Sequence, residues 1–386
     1  MSAPTARRPL PVDPGLPSLQ LLHPQALADI LAADLGGASP GGTGGPAAPA
    51  AEVTDARVRY LEWSPGTRLV AHVDAVVRTA GQSEGGRREA VLRSGGSPEV
   101  VGPVRWLPDD PDLPLLSVGW ARAARRLAYV PGRRVALRVA DSVYKGYASH
   151  ETYARARVGL EVLHAALGEA TPRPERPVPQ LLTTVQRAHD GEHPGLADAV
   201  GAGPAAGGVL ARLHASGVAA PRSVSSTELL SAAGGPVRLL ETALPAQGRR
   251  ARLLLDVLGR HAPADDDLVL SHGDFTREQL LTGPAGVVVL DADTVALAPR
   301  ALDLASYPAN LVSGRHGDLE RAQEALDALL DGYGTAPRSL DWHLGAALLR
   351  RCDRPFRRLK SRWDDRTELL LDITEEVTRR CAAVRI

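Results

Sequence analysis

An α+β chain, with a β-rich N-terminal part followed by a helical C-terminal part, is the fold class the sequence predicts. Two observations carry it. Short apolar segments separated by Pro-Gly and Gly-rich turns fill residues 57–147, and from residue 205 onward nearly every long segment has helical spacing. With 386 residues, 44% of them hydrophobic, there is length for about two to three units with buried cores.

Residues 25–35 predict a short helix, and GGASPGGTGGPAAPA (36–50) reads as a linker without core-forming residues. VRYLEW (58–63), TRLVAHVDAVV (67–77) and REAVLR (88–93), split by Pro65-Gly66 and a Gly-rich loop, predict a β-meander. Residues 63–73 then align with residues 129–139 at an offset of 66, each a strand, a Pro-Gly turn and a strand. Two copies predict two similar hairpins rather than a solenoid. SVYKGY (142–147) is a third strand after the second hairpin, and Ser149 is a candidate N-cap for a helix to residue 167. Residues 172–179, with their prolines, break the chain, and QLLTTVQ (180–186) predicts another strand. In AGGVLARLHASG (206–217) one helix face carries Leu210, Leu213 and His214. The expected divisions are an N-terminal segment and linker (1–52), a β-meander cap (53–120), an N-lobe (121–186) and a helical C-lobe with a catalytic loop (187–386).

Composition excludes several classes. Lys plus Arg equals Asp plus Glu at 45 each, so no net field favours nucleic acid or an anionic membrane. No run approaches the roughly 18 apolar residues of a membrane span. Cys352 and Cys381 are too few for a disulfide framework, which fits a cytoplasmic setting. Arg7-Arg8 is followed by Pro9, Pro11 and Pro14 where an export signal needs an apolar stretch, so export is not expected. Of the 45 basic residues only Lys145 and Lys360 are lysine. In so Arg-biased a chain a surviving lysine is a candidate for work needing a compact ammonium.

The most informative stretch is LVLSHGDFTREQLLTGPAGVVVLDADTVALAPRALDLASY (268–307), in which Asp274 is followed five residues later by Gln279 and a strand delivers Asp291. Phosphoryl transfer needs this set. A loop carboxylate accepts the attacking hydroxyl's proton, while an amide oxygen and a second carboxylate hold Mg²⁺. Asp293 is a second acid beside Asp291, or an N-cap for the turn that follows.

These residues resemble the aminoglycoside phosphotransferase and choline kinase-like family, a branch of the protein-kinase fold, over roughly residues 125–380. The resemblance implies a bilobal kinase-like fold, with the β-meander as an extra N-terminal layer. It implies Asp274 as catalytic base, Gln279 and Asp291 as metal ligands, His272 as a residue packing the loop, and Asp303 as the acid orienting it. Gln279 stands where the family has Asn, and Ala292-Asp293 where kinases have Phe-Gly. A kinase-like N-lobe further implies a hairpin over the phosphates, here turned at Pro131-Gly132, a lysine on the third strand, Lys145, and a helix glutamate paired with it. Glu161, 16 residues after Lys145, is the expected partner and Glu151 the rival. With no G-x-G-x-x-G, phosphate contacts fall to a few backbone amides and Arg133 or Arg134. The seven basic residues within 350–362 are expected to form a solvated arginine face on a helix broken at Pro355.

The leading expectation is an ATP- and Mg²⁺-dependent transfer of the γ-phosphoryl group to a hydroxyl of a small molecule, a sugar or antibiotic-like metabolite. Residues 314–386 hold 14 basic and 13 acidic residues, a balance that does not favour a polycationic acceptor. The alternatives are a Ser/Thr kinase acting on a precursor peptide of a lanthipeptide-like pathway, and an inactive nucleotide-binding scaffold. None involves nucleic acid or a membrane.

Overall fold

Pro65-Gly66 and Pro131-Gly132 make the same turn. In the computed structural model Gly66 and Gly132 have φ of 72° and 60°, backbone that an L side chain rarely adopts. Ser64 pairs with Arg68 and Trp63 with Leu69 in the first hairpin, and Val130 pairs with Arg134 and Tyr129 with Val135 in the second. The sequence repeat is therefore a repeat of register. The structure describes residues 9–36, 51–79, 84–95, 104–195, 198–265, 267–284, 286–314, 319–359 and 362–383. Most of the expected linker, and Lys360, lie outside them.

The chain divides into two units. The first comprises Met1–Asp110, Arg238–Gly248 and Asp353–Thr367. It contains α1 (Pro24–Leu35) and an antiparallel sheet of β1 (Ala51–Ser64), β2 (Arg68–Thr79), β3 (Gly86–Gly95) and β4 (Arg105–Trp106), in that order. Its core holds Leu61, Trp63, Leu69, Val73 and Leu92. Buried Asp13 fastens the hairpin, accepting from Trp63 Nε1 at 2.9 Å and from the Gly66 amide at 2.8 Å.

The second unit comprises Pro111–Val237, Arg249–Cys352 and Glu368–Ile386. After α2 (Gly119–Ala123) it builds a sheet from β5 (Arg125–Val130), β6 (Arg134–Val139), β7 (Ser142–Tyr147), β8 (Pro174–Val178) and β9 (Thr183–Arg187), in the order β5-β6-β7-β9-β8. Two sequence expectations are corrected there. The proline-rich 172–179 stretch contains a strand, β8, because an edge strand needs no outward N–H. The next strand begins at Thr183, since residues 179–181 form a 3-10 turn and Leu182 has φ 48°.

Between β7 and β8 lies α3 (His150–Leu167), capped by Ser149, whose hydroxyl accepts the Thr152 amide at 3.2 Å. Such a cap is worth about 1 kcal/mol. Its buried residues Tyr153, Ala156, Gly159, Leu160, Leu163 and Leu167 recur at helical spacing.

The remaining elements in chain order are α4 (Ala199–Ala215), α5 (Ser226–Ser231), α6 (Gly234–Ala243), α7 (Pro245–Arg260), β10 (Leu268–Ser271), β11 (Leu280–Gly283), β12 (Gly286–Val289), β13 (Ala296–Pro299), α8 (Ala301–Val312), α9 (Leu319–Tyr333), α10 (Leu340–Leu349), α11 (Arg354–Arg357) and α12 (Trp363–Ala383). β10 pairs with β13 and β11 with β12. Pro355 opens α11 rather than breaking a helix, as its missing N–H permits. No helix among the described residues is long and apolar enough to cross a membrane.

Candidate active site

Strand β10 is buried along Val269–Leu270–Ser271 and ends at His272, whose ring is buried too. The His272 Nε2–H donates to the Leu290 carbonyl at 2.7 Å, which leaves Nδ1 to accept the Asp274 amide at 3.3 Å. The loop is anchored a second time by Asp303, in the first turn of α8 and fully buried. Asp303 Oδ2 accepts the His272 amide at 2.7 Å and Oδ1 the Gly273 amide at 2.8 Å. His214 Nε2 lies 3.3 Å from Oδ2, and the Tyr333 hydroxyl, itself hydrogen-bonded by Arg300 at 3.0 Å, is 2.8 Å from His214 Nδ1. Burial alone would raise the Asp303 pKa, but the hydrogen bond and charge of His214 outweigh it and hold the carboxyl below its ordinary range. The chain thus fixes the backbone around Asp274 while leaving the Asp274 side chain 44% exposed.

Arg351 is buried, and its guanidinium comes within 3.6 Å of Asp274 Oδ1. The solvated face expected for residues 350–362 is corrected at this position. Helical periodicity cannot distinguish an arginine in solvent from one turned toward a carboxylate across the fold.

Asp291 follows β12 with φ 65°, a left-handed conformation that Asp tolerates better than most residues. On β7 the alternation of side chains puts Lys145 and Tyr147 on one face, and Arg134 pairs with Tyr147 across β6–β7. These three converge on the Asp291-Ala292-Asp293 turn. Lys145 Nζ donates to Asp291 Oδ1 at 2.5 Å and to Asp293 Oδ1 at 2.8 Å. Arg134 Nη1 donates to Asp291 Oδ2 at 3.0 Å and to Asp293 Oδ2 at 2.7 Å, and the Tyr147 hydroxyl to Asp293 Oδ1 at 2.8 Å. Burial pushes Asp291 upward, but Lys145 and Arg134 prevail and hold it well below the usual carboxylate range. Burial, then Asp293, raises the Tyr147 pKa, so its hydroxyl stays protonated and donating.

Two sequence expectations part from this geometry. Glu161 is exposed and pairs with Arg157 at 2.8 Å, and Glu151 lies 3.8 Å from Arg155. Neither is the partner of Lys145. Pro131 and Gly132 turn the hairpin without lining the cavity described below, whereas Arg134 lines it. Of the two arginines expected near the phosphates, Arg133 is exposed and Arg134 lines the cavity. Asp293 was legible as a second acid. Nothing in the sequence marked Tyr147, and Arg351 was marked only as one of the seven basic residues within 350–362.

A cavity of about 680 Å³ opens over this cluster, within the roughly 300–1,000 Å³ of small-ligand sites. Lys145, Arg134, Asp291 and Gln279 line it, with Arg125, Arg126, Arg138, Arg187, Glu192 and Glu278 as further charged walls and Leu127, Ala136, Val143, Leu281 and Leu290 as apolar ones. Among the described residues no group of three or more His, Cys, Asp or Glu could hold a metal by itself. Mg²⁺ asks for less, binding through one or two carboxylates with phosphates and water completing its shell. Asp291, with the Gln279 amide nitrogen 3.4 Å from its Oδ2, fits that requirement, because a half-turn of the amide presents its oxygen instead.

Helix α3 presses directly on the acidic turn. A Cβ at Gly159 would stand 2.2 Å from the Ala292 carbonyl oxygen. Gly159→Ala is therefore expected to destabilise the protein by about 1–3 kcal/mol and to weaken nucleotide binding by moving the turn. Urea denaturation and calorimetry check both, and a neutral variant would show that the helix and turn separate freely.

No curated protein matches the chain. Among solved structures it resembles a choline/ethanolamine kinase family protein from Mesorhizobium loti at 16% identity and a TM-score of 0.51, covering 70% of this chain and 95% of that one. An aminoglycoside phosphotransferase from Streptomyces rimosus aligns at 16% identity and a TM-score of 0.41, over 69% and 96% of the two chains. A choline kinase from Streptococcus pneumoniae aligns at 9% identity and a TM-score of 0.46, over 67% and 93%. Residues 112–343 match the model of the phosphotransferase enzyme family. The chain belongs to that family, and it is a kinase-like phosphotransferase with an alcohol group as acceptor.

Proposed function

We propose that the protein transfers the γ-phosphoryl group of ATP, with Mg²⁺, to a hydroxyl of a small molecule such as a sugar or an antibiotic-like metabolite. One observation carries this reading: Lys145, Arg134, Asp291 and Gln279 line one cavity of about 680 Å³, whose other walls mix arginines such as Arg125, Arg126 and Arg138 with apolar side chains such as Leu127, Val143 and Leu290. Lys145 and Arg134 serve the phosphates, the first as a compact ammonium and the second as a planar fork. Asp291 and Gln279 would hold Mg²⁺, which when bound neutralises charge on the phosphate oxygens. Asp274 receives the acceptor's proton at a carboxylate oxygen as the new O–P bond forms and the bond to the leaving phosphate breaks. Buried Arg351 beside that base disfavours a polycationic acceptor, which would bring more positive charge to the same place.

The test is calorimetric titration of ATP with and without Mg²⁺ into the wild type and Asp291→Asn. Metal-dependent binding is expected in the wild type, weakened about tenfold or more in the variant, as for loss of a ligand-shell interaction. A wild type that binds no ATP under either condition would sink the reading.

A further inference from the structure

Helix α3 meets the Asp291-Ala292-Asp293 turn at Gly159, and the buried residues beside it on the helix, Ala156, Leu160 and Leu163, include no acid. At Gly159 the gap to the Ala292 carbonyl does not admit even a methyl group. A helix glutamate thus has no path to Lys145 from that face. Glu161, two residues beyond Gly159, is turned about 200° around the helix and lies 53% exposed against Arg157. Meanwhile Asp293, two residues after Asp291, accepts from Lys145, Arg134 and Tyr147 at 2.7–2.8 Å. An N-cap for the following turn would need none of these donors.

We propose that Asp293 is the positioning carboxylate of Lys145 and Arg134, doing from the turn what a helix glutamate would do from α3. It aims both cations into the cavity. Together with Asp291 it also keeps them occupied until a phosphate group competes for them. The two cations and two carboxylates balance, so a nucleotide without metal must displace carboxylates to reach Lys145 and Arg134. The role in nucleotide binding rests on the reading of the cavity as a nucleotide site, whereas the pairing itself is a property of the free protein.

The experiment exploits the two lysines of the chain, Lys145 and Lys360. In ligand-free protein, acylation of each amine is followed by mass spectrometry for the wild type, Asp293→Asn, Asp293→Glu and Glu161→Gln, alongside ATP titrations in EDTA and with Mg²⁺ and the kcat/KM of Mg²⁺-dependent ATP hydrolysis. In Asp293→Asn, Lys145 is expected to be acylated several-fold faster. Its metal-free ATP affinity rises about tenfold, one opposing charge having been removed, while kcat/KM with Mg²⁺ falls by a similar factor. Asp293→Glu reverses these changes in part. Such a gain in metal-free affinity beside a loss of turnover is not what general loosening of the turn produces. Equal acylation and equal metal-free affinity in the wild type and Asp293→Asn overturn the proposal. Glu161→Gln changes an exposed residue and keeps the test decisive if Asp293→Asn does not fold: unchanged Lys145 acylation supports the proposal, and faster acylation overturns it. A wild type that binds no ATP at all condemns the nucleotide reading, and the acylation comparison, which needs no ligand, judges Asp293 separately.

Discussion

Asp274→Asn is expected to lower turnover by about 10²–10⁴-fold, the usual contribution of a positioned general base, with nucleotide affinity unchanged. The split follows from placement. Asp274 is not among the walls of the cavity that Lys145, Arg134 and Asp291 line, and its half-exposed carboxylate stands on a loop fixed by other residues. Asparagine keeps the shape and still offers a carbonyl oxygen toward Arg351, so the fold should persist. It cannot take up a proton at neutral pH. Single-turnover assays with an acceptor, read beside calorimetry and thermal melting, separate the effects. A variant that retains full turnover would remove Asp274 from the chemistry. One that loses ATP binding in parallel would show that the loop and the cavity are one structure rather than two.

Asp303→Ala should produce the largest loss of stability, about 3–5 kcal/mol, the range for breaking a buried charged pair by removing one partner. The His272 and Gly273 amides would lose their acceptors, and so would His214. Buried donors left without acceptors carry their full desolvation penalty. Asp303→Asn should fall between, since one amide oxygen can serve one of the backbone donors while its NH₂ meets another. Urea denaturation of the three proteins gives the order directly. A loss below about 1 kcal/mol for Asp303→Ala, no more than an ordinary hydrogen bond contributes, would mean that the loop is held chiefly by the His272–Leu290 contact.

Much of this was legible because it is local. Strand alternation places Lys145 toward one face of β7, and the spacing from Asp274 to Gln279 and on to Asp291 follows from a loop between short strands. The 66-residue repeat is visible because a Pro-Gly turn needs the same residues wherever it occurs, and its two copies share their register. The first unit is different. It gathers Arg238–Gly248 and Asp353–Thr367 from the C-terminal half, whereas the sequence divisions run continuously from 53 to 120 and from 187 to 386. Local periodicity carries no information about which distant segments share a core.

The sequence by itself carried the family resemblance, and with it the reaction class and the α+β order of the elements, and it named Lys145 and Asp274 as candidates, since a motif depends on residue type and short spacing. Only the tertiary structure decided which carboxylate meets Lys145. Sixteen residues along the chain measure a distance to Glu161 but not the rotation of α3, and that rotation is set by Gly159 lying against Ala292. The same holds for Arg351. Its charge is written in the sequence, but its burial beside Asp274 depends on how helices distant in the chain pack around the loop.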